Sequence, residues 1–169
     1  MKPCVLLFAL LMLPAVAQHI TGTVEKIDKD QLQIKGPKGI VTLHVDEKTA
    51  VQKGRVSHDL SALKVGDEIR ANAYGDEHLT AVSISAKITI SGVITDGNAT
   101  HITVRPEGAK DTVFVFLRTD TKYGMSKSQL TPGKRVHITG WDSGDGVIDA
   151  EKVAVYETDV PLRASPFRP

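Results

Sequence analysis

Histidines, carboxylates, serines and aromatic rings are the side chains in this sequence that could do chemistry, and their spacing limits what they could do. The six histidines are His19, His44, His58, His78, His101 and His137. A metal site built within one element wants two donors aimed at one ion, as in His-x-x-x-His or Glu-x-x-His. No histidine here has such a partner. His19 becomes the second residue if the chain is cleaved after Ala17, whereas an amino-terminal copper clip needs histidine third. No metal or other cofactor is therefore expected from local motifs. Hydrolysis wants an activated serine or two carboxylates facing across a cleft. No serine sits in a Gly-x-Ser-x-Gly elbow, and the acids Asp67-Glu68, Asp76-Glu77, Asp142 and Asp145 cluster in turns, where acids are solvated and blunt strand edges. The expectation is a non-enzymatic protein.

Four aromatic residues remain as candidate ligand contacts: Tyr74, Trp141, Phe114 and Phe116. Tyr74 and Trp141 each end an equivalent strand, where a ring serves either the rim of the fold or a ligand. Phe114 and Phe116 lie in the apolar run 112–117. If Val113, Val115 and Leu117 face the core, both phenylalanines lie on the outer face and need a cover. That cover is either another part of the chain or a ligand or partner.

The elements that position these residues come in two copies. Leu63-Lys64-Val65-Gly66-Asp67-Glu68-Ile69 is echoed by Leu130-Thr131-Pro132-Gly133-Lys134-Arg135-Val136, each a glycine turn leading into a strand that ends in Tyr74 or Trp141. Alternation gives a first strand through Ile20, Gly22 and Val24, a second through Leu32 and Ile34, and a third through Val41, Leu43 and Val45. A polar connection, 46–63, follows, with a short helical turn capped by Ser57 or Asp59. The fourth strand buries Ile69, Ala71 and Ala73, and the fifth spans 79–85. The second copy begins almost at once, with 87–89 as the only linker: Gly92 repeats Gly22, 101–104 repeat 31–34, and 111–117 repeat the third strand. A repeat of this kind fixes architecture better than propensity does. The layout is all-β, as two tandem small Greek-key barrels of the OB type, over 18–87 and 88–158, with an extended tail at 159–169.

Ahead of them, Lys2, the apolar run 5–13 and the small-x-small pattern ending at Ala17 form a secretory signal over 1–17. The run is shorter than the roughly 20 residues of a membrane span, so the product is expected outside the cytoplasm, periplasmic or extracellular. Cys4 is the only cysteine and lies inside the signal, which excludes disulfides and thiolate chemistry from the remaining 150 or so residues. Loss of Lys2 takes the net charge from +1 to zero. A neutral chain has no global field to draw polyanions, and the outward residues of the first copy's hairpin, Gln31, Gln33, Lys35, Thr42 and His44, include no ring for bases to stack on. Nucleic acid is an unfavoured partner.

The local signals resemble the bacterial exported family known as domain of unknown function 5666. Its early x-Gly-x-Val, its threonine after strand three, its Leu-x-x-Gly turn and its alanine in strand five match Gly22, Thr49, Leu63 with Gly66, and Ala81. They match again at Gly92, Thr119 or Thr121, Leu130 with Gly133, and Ala150. The resemblance implies an exported domain and transfers no activity. The reading is of a binding or scaffolding module of the periplasm or envelope, with an envelope protein or glycan as partner. The alternatives are a small-molecule or metal-dependent enzyme in the cleft between the barrels, and an oligonucleotide-binding protein.

Overall fold

A computed structural model of the chain describes residues 17–57, 59–76, 78–124 and 126–156. The expected signal up to residue 16 with Cys4, the expected tail, His58 and Glu77 lie outside the described residues. Eleven strands follow in order: β1 (Ala17–Ile27), β2 (Gln31–Gly36), β3 (Gly39–His44), β4 (Ala50–Lys53), β5 (Arg55–Ser57), β6 (Glu68–Tyr74), β7 (Leu79–Gly97), β8 (His101–Pro106), β9 (Val113–Tyr123), β10 (Arg135–Gly144) and β11 (Val147–Tyr156). Two 3-10 turns, Leu60–Ala62 and Lys127–Gln129, are the other elements among the described residues. Among the described residues no helix is long and apolar enough to cross a membrane.

The chain is all-β, and its strands join one sheet. From β1 the pairing passes to β2, to β3, in parallel to β7, then to β6 and back to β1. A second circuit runs β7, β8, β9, then in parallel to β11, then β10 and back to β7. Each circuit has its own apolar cluster. Val24, Leu32, Ile34, Leu43, Ile69 and Ile84 lead the first, and Ile94, Ile102, Val104, Val115, Val136 and Ile138 the second. These are the residues that strict alternation assigns to one face.

Residues 87–89, expected as a linker, are instead the middle of β7, where Lys87, Ile88 and Thr89 pair with Trp141, Gly140 and Thr139. A strand that closes one circuit and opens the next needs no linker. The connection 46–63 also holds more order than its polar sequence implies, namely β4, β5 and the 3-10 turn capped by Asp59, whose Oδ1 accepts from the Ser61 amide at 2.9 Å. Asp46 causes the break after β3: its Oδ1 accepts from the amides of Lys48 at 2.9 Å and Thr49 at 3.0 Å, a side-chain turn that competes with the ladder. The second copy has no such break, and β9 runs on through Thr121.

The repeated glycine turn has a defined mechanical role. Gly66 and Gly133 adopt φ of +94° and +87°. Their amides donate to the carbonyls of Val24 at 2.9 Å and Ile94 at 2.8 Å, while the Val24 and Ile94 amides donate back to Asp67 and Lys134. The turn thus pins the strand-one irregularity of its own copy, which falls between Val24 and Lys26 or between Ile94 and Asp96. No heavy atom stands within 4 Å of a Cβ added at either glycine, so only conformation resists substitution. Gly66→Val and Gly133→Val are each expected to cost about 1–3 kcal/mol; a melting temperature equal to the parent's would contradict the turn assignment.

Thr49 and Thr121 are the matching buried threonines. Each hydroxyl donates to the carbonyl of the fifth-strand alanine of its copy, Thr49 to Ala81 at 2.7 Å and Thr121 to Ala150 at 2.8 Å. The structure therefore selects Thr121 over Thr119, which is exposed. Thr→Val keeps the shape and removes the donor. Either substitution is expected to cost about 1–2 kcal/mol, seen as a lower urea midpoint at unchanged slope.

Candidate functional site

Strand register places five chemically able side chains in one line across the outer face of the second copy. His101 on β8 pairs with Phe116 on β9, Phe116 with Asp149 on β11, Asp149 with Trp141 on β10, and Trp141 with Lys87 on β7. Residues in register on neighbouring strands project to the same side, and the residues flanking them, Ile102, Val115, Leu117, Ile148 and Ala150, turn into the core. At one end of the line Phe114 stacks on His101, with centroids 4.6 Å apart and 27° between planes, and meets Phe116 edge-on at 5.0 Å and 74°. Phe116 itself is 43% exposed. Beside it lies a recess of about 260 Å³ lined by Thr100, Phe116, Leu117, Arg118 and Asp149.

The other end of the line is the junction between the copies. Asp149 accepts from Arg118 at 2.7 Å and from Arg70, on β6 of the first copy, at 2.9 Å. Burial pushes the Asp149 carboxyl up, but the two arginine hydrogen bonds and charges together outweigh it and hold the group below the usual carboxylate range. The Arg70 guanidinium and the Lys87 ammonium stand 5.4 and 5.6 Å from the centre of the Trp141 ring, a cation–π arrangement. Lys87 also bridges Glu68 of the first copy at 2.8 Å and Glu151 of the second at 3.1 Å. The Glu68 hydrogen bond, opposed by burial and aided by Glu151, raises the Lys87 pKa. Finally, the Gly54 amide between β4 and β5 donates to the Asp142 carboxylate, which also accepts from the Gly144 amide at 2.8 Å.

Of the four aromatic residues expected as ligand contacts, the structure brings Phe114 and Phe116 together and places Trp141 on the same line. Phe114 is half-covered by His101 of its own copy, and Phe116 remains open. Trp141 is half-buried beneath its two cations, at the junction. Tyr74 stands apart: it is exposed and pairs with Ala17 and Thr80, seven residues along β7 from the Trp141 partner Lys87. Tyr74 and Trp141 are equivalent in sequence but do not form one site. One further expectation changes. Asp142, read as a solvated turn acid, is 2% exposed and caps the junction. His137 is half-buried, with its Nδ1 2.9 Å from the Ser91 hydroxyl and its ring edge-on to Tyr156. Asp149, Arg70, Arg118 and Lys87 were not singled out by sequence. Among the described residues no group of three or more His, Asp or Glu is placed to hold a metal ion.

The family described as Domain of unknown function (DUF5666) matches residues 21–85 and again residues 91–154. The chain belongs to this family, in two tandem copies. The motif residues of the two DUF5666 copies all have structural roles here: Gly22 and Gly92 at a close strand approach, Thr49 and Thr121 on the fifth-strand alanines, Gly66 and Gly133 at the turn. None stands on the His101–Lys87 line. The first DUF5666 copy has Gln31, Gln33, Thr42 and His44 where the second has His101, Thr103, Phe114 and Phe116. No curated protein matches the sequence. Among solved structures, drosophila Unr CSD456 is 12% identical over 87% of this chain, with a TM-score of 0.33, and the match spans 65% of that structure's chain.

Proposed function

We propose that this protein is an exported, non-enzymatic binding module of the periplasm or cell envelope, built as two OB-like barrels that share strand β7. Its ligand is met by the outer face of the second barrel. The barrel reading is supported by two circuits of pairing that return to their starting strand, each with a separate apolar cluster. The observation that carries the binding reading is Phe116, a large ring left open within an ordered row of polar and aromatic side chains on strands equivalent to those that OB barrels use for oligomers.

The cleft between the copies is where an enzyme site was the alternative. Its recess of about 440 Å³ is lined by His19, Gln52, Arg70, Asn72, Ser83, Ser85 and Ser143. The Ser85 hydroxyl donates to Gln52 at 2.7 Å and Ser83 accepts from Asn72 at 2.9 Å, so amides rather than a base engage both hydroxyls.

The test has two arms. Recovery of the full chain from a secreting bacterial host should give an intact mass short of residues 1–17; retention of those residues in the cytoplasm would refute export. Sedimentation with fractionated envelope material should retain the purified protein in a manner lost on Phe116→Ala. Equal retention of parent and variant would refute the assigned face.

A further inference from the structure

We propose that the recess beside Phe116 binds an uncharged saccharide, one sugar ring stacking on Phe116 while Arg118, Asp149 and Thr100 meet its hydroxyls; this rests on the binding reading above and names its ligand class. Three observations carry it.

The first is a ring fixed before anything binds. Phe114, stacked on His101 and packed edge-on against Phe116, sets the orientation of the open ring, so little side-chain freedom remains to be lost on binding. The C–H face of a sugar can then lie flat on a platform already in place.

The second is the polar edge of that platform. The Arg118 side chain is 59% exposed, and Nη2 is held to Asp149 at 2.7 Å. A guanidinium has five N–H donors, and Asp149 fixes this one in place without using them all. Planar donors beside carboxylate and hydroxyl acceptors match the alternating donor and acceptor demands of sugar hydroxyls. The recess, about 260 Å³, falls below the roughly 300–1,000 Å³ of pockets that enclose drug-sized ligands, so it takes one ring of a chain that continues outside.

The third is charge. Arg118 and Arg70 face Asp149, and Asp120 adds a second carboxylate to the field of Arg118. Two cations and two anions cancel, leaving no surplus to attract a phosphate backbone, whose binding rests on neutralising cations.

The experiment titrates the purified full chain with chitotetraose, cellotetraose and maltotetraose by calorimetry, with polygalacturonate and a twelve-nucleotide oligo-dT as anionic comparators. At least one neutral tetrasaccharide should bind. Phe116→Ala should weaken it about tenfold, Phe116→Trp should retain it, and Tyr74→Ala should leave it unchanged. Thermal melts of each variant separate lost binding from lost fold. Binding of the anionic probes alone, weakening with salt, would overturn the proposal in favour of a polyanion site. Absence of binding to all three neutral probes, or neutral binding indifferent to Phe116→Ala, would overturn it outright. The envelope arm tells the two failures apart: retention that depends on Phe116 without saccharide binding sinks only the ligand class, whereas retention indifferent to Phe116 sinks the face itself.

Discussion

Gly22→Ala and Gly92→Ala are each expected to destabilise the protein by about 3 kcal/mol, more than any surface substitution in the same strands. Neither glycine adopts a positive φ, so the demand is one of space. A Cβ on Gly22 would stand against the Lys35 carbonyl and 2.7 Å from Ile34 Cγ2; on Gly92 it would meet the Arg105 carbonyl and lie 2.8 Å from Val104 Cγ1. Those carbonyls belong to the paired strands β2 and β8, and moving them pulls the ladder apart from β1 or β7. A flexible side chain could swing aside, whereas a laddered backbone cannot. Urea unfolding should show a lower midpoint for each variant, and a midpoint within error of the parent's would mean that the strands do not approach as closely as described. The comparison with Gly66 is instructive, because a Cβ there has open space and only the backbone conformation objects.

This division between space and conformation explains much of what the sequence discloses. Alternation at Ile69, Ala71 and Ala73, or at Leu32 and Ile34, states which side of a strand is dry, and the repeated glycines state where strands start and cross. Both are local signals, and the structure follows them. Partnership across distant segments has no local signal. Arg70 on β6 and Asp149 on β11 are 79 residues apart in sequence and meet only because β6 and β10 both pair with β7 and β11 pairs with β10, an arrangement that depends on β7 serving both circuits. A linker at 87–89 would have kept the copies separate and hidden the contact. Asp142 misled for a different reason. Asp142-Ser143-Gly144-Asp145-Gly146 reads as one long turn, but Gly144 (φ 83°) still pairs with Val147, so Asp145 (φ 53°) and Gly146 (φ 76°) alone make a two-residue turn between β10 and β11. Asp142 is thereby kept inside β10 and faces inward. Phe114 and Phe116 were legible as outward rings, since Val115 and Leu117 alternate with them. That His101 would cover one and leave the other open depended on the β8–β9 register, which the sequence leaves unstated.

Asp149→Asn is expected to weaken the protein by about 2–3 kcal/mol near neutral pH and by much less in acid. The carboxylate is the shared acceptor of Arg118 and Arg70 and is only 8% exposed. Removing its charge leaves two guanidiniums facing each other without their anion. Breaking a fully buried pair costs about 3–5 kcal/mol, and the expected figure is lower because Arg70 and Arg118 are 39% and 59% exposed and solvent screens them. The pH dependence follows from the depressed folded-state pKa. An acid held below its unfolded value stabilises the fold at pH above that unfolded value, about 3.9, and the contribution disappears as pH falls through the folded value. Parent and variant should therefore converge as pH drops below about 4. Asp46, lowered by its hydrogen bond from the Lys48 amide, and Asp59, lowered by that from Ser61, add acid sensitivity common to both proteins. The difference between parent and variant thus isolates Asp149. Urea midpoints at pH 7 and pH 3 give the answer: a gap of the same size at both values would show that the loss comes from packing and not from the charge that joins the two copies.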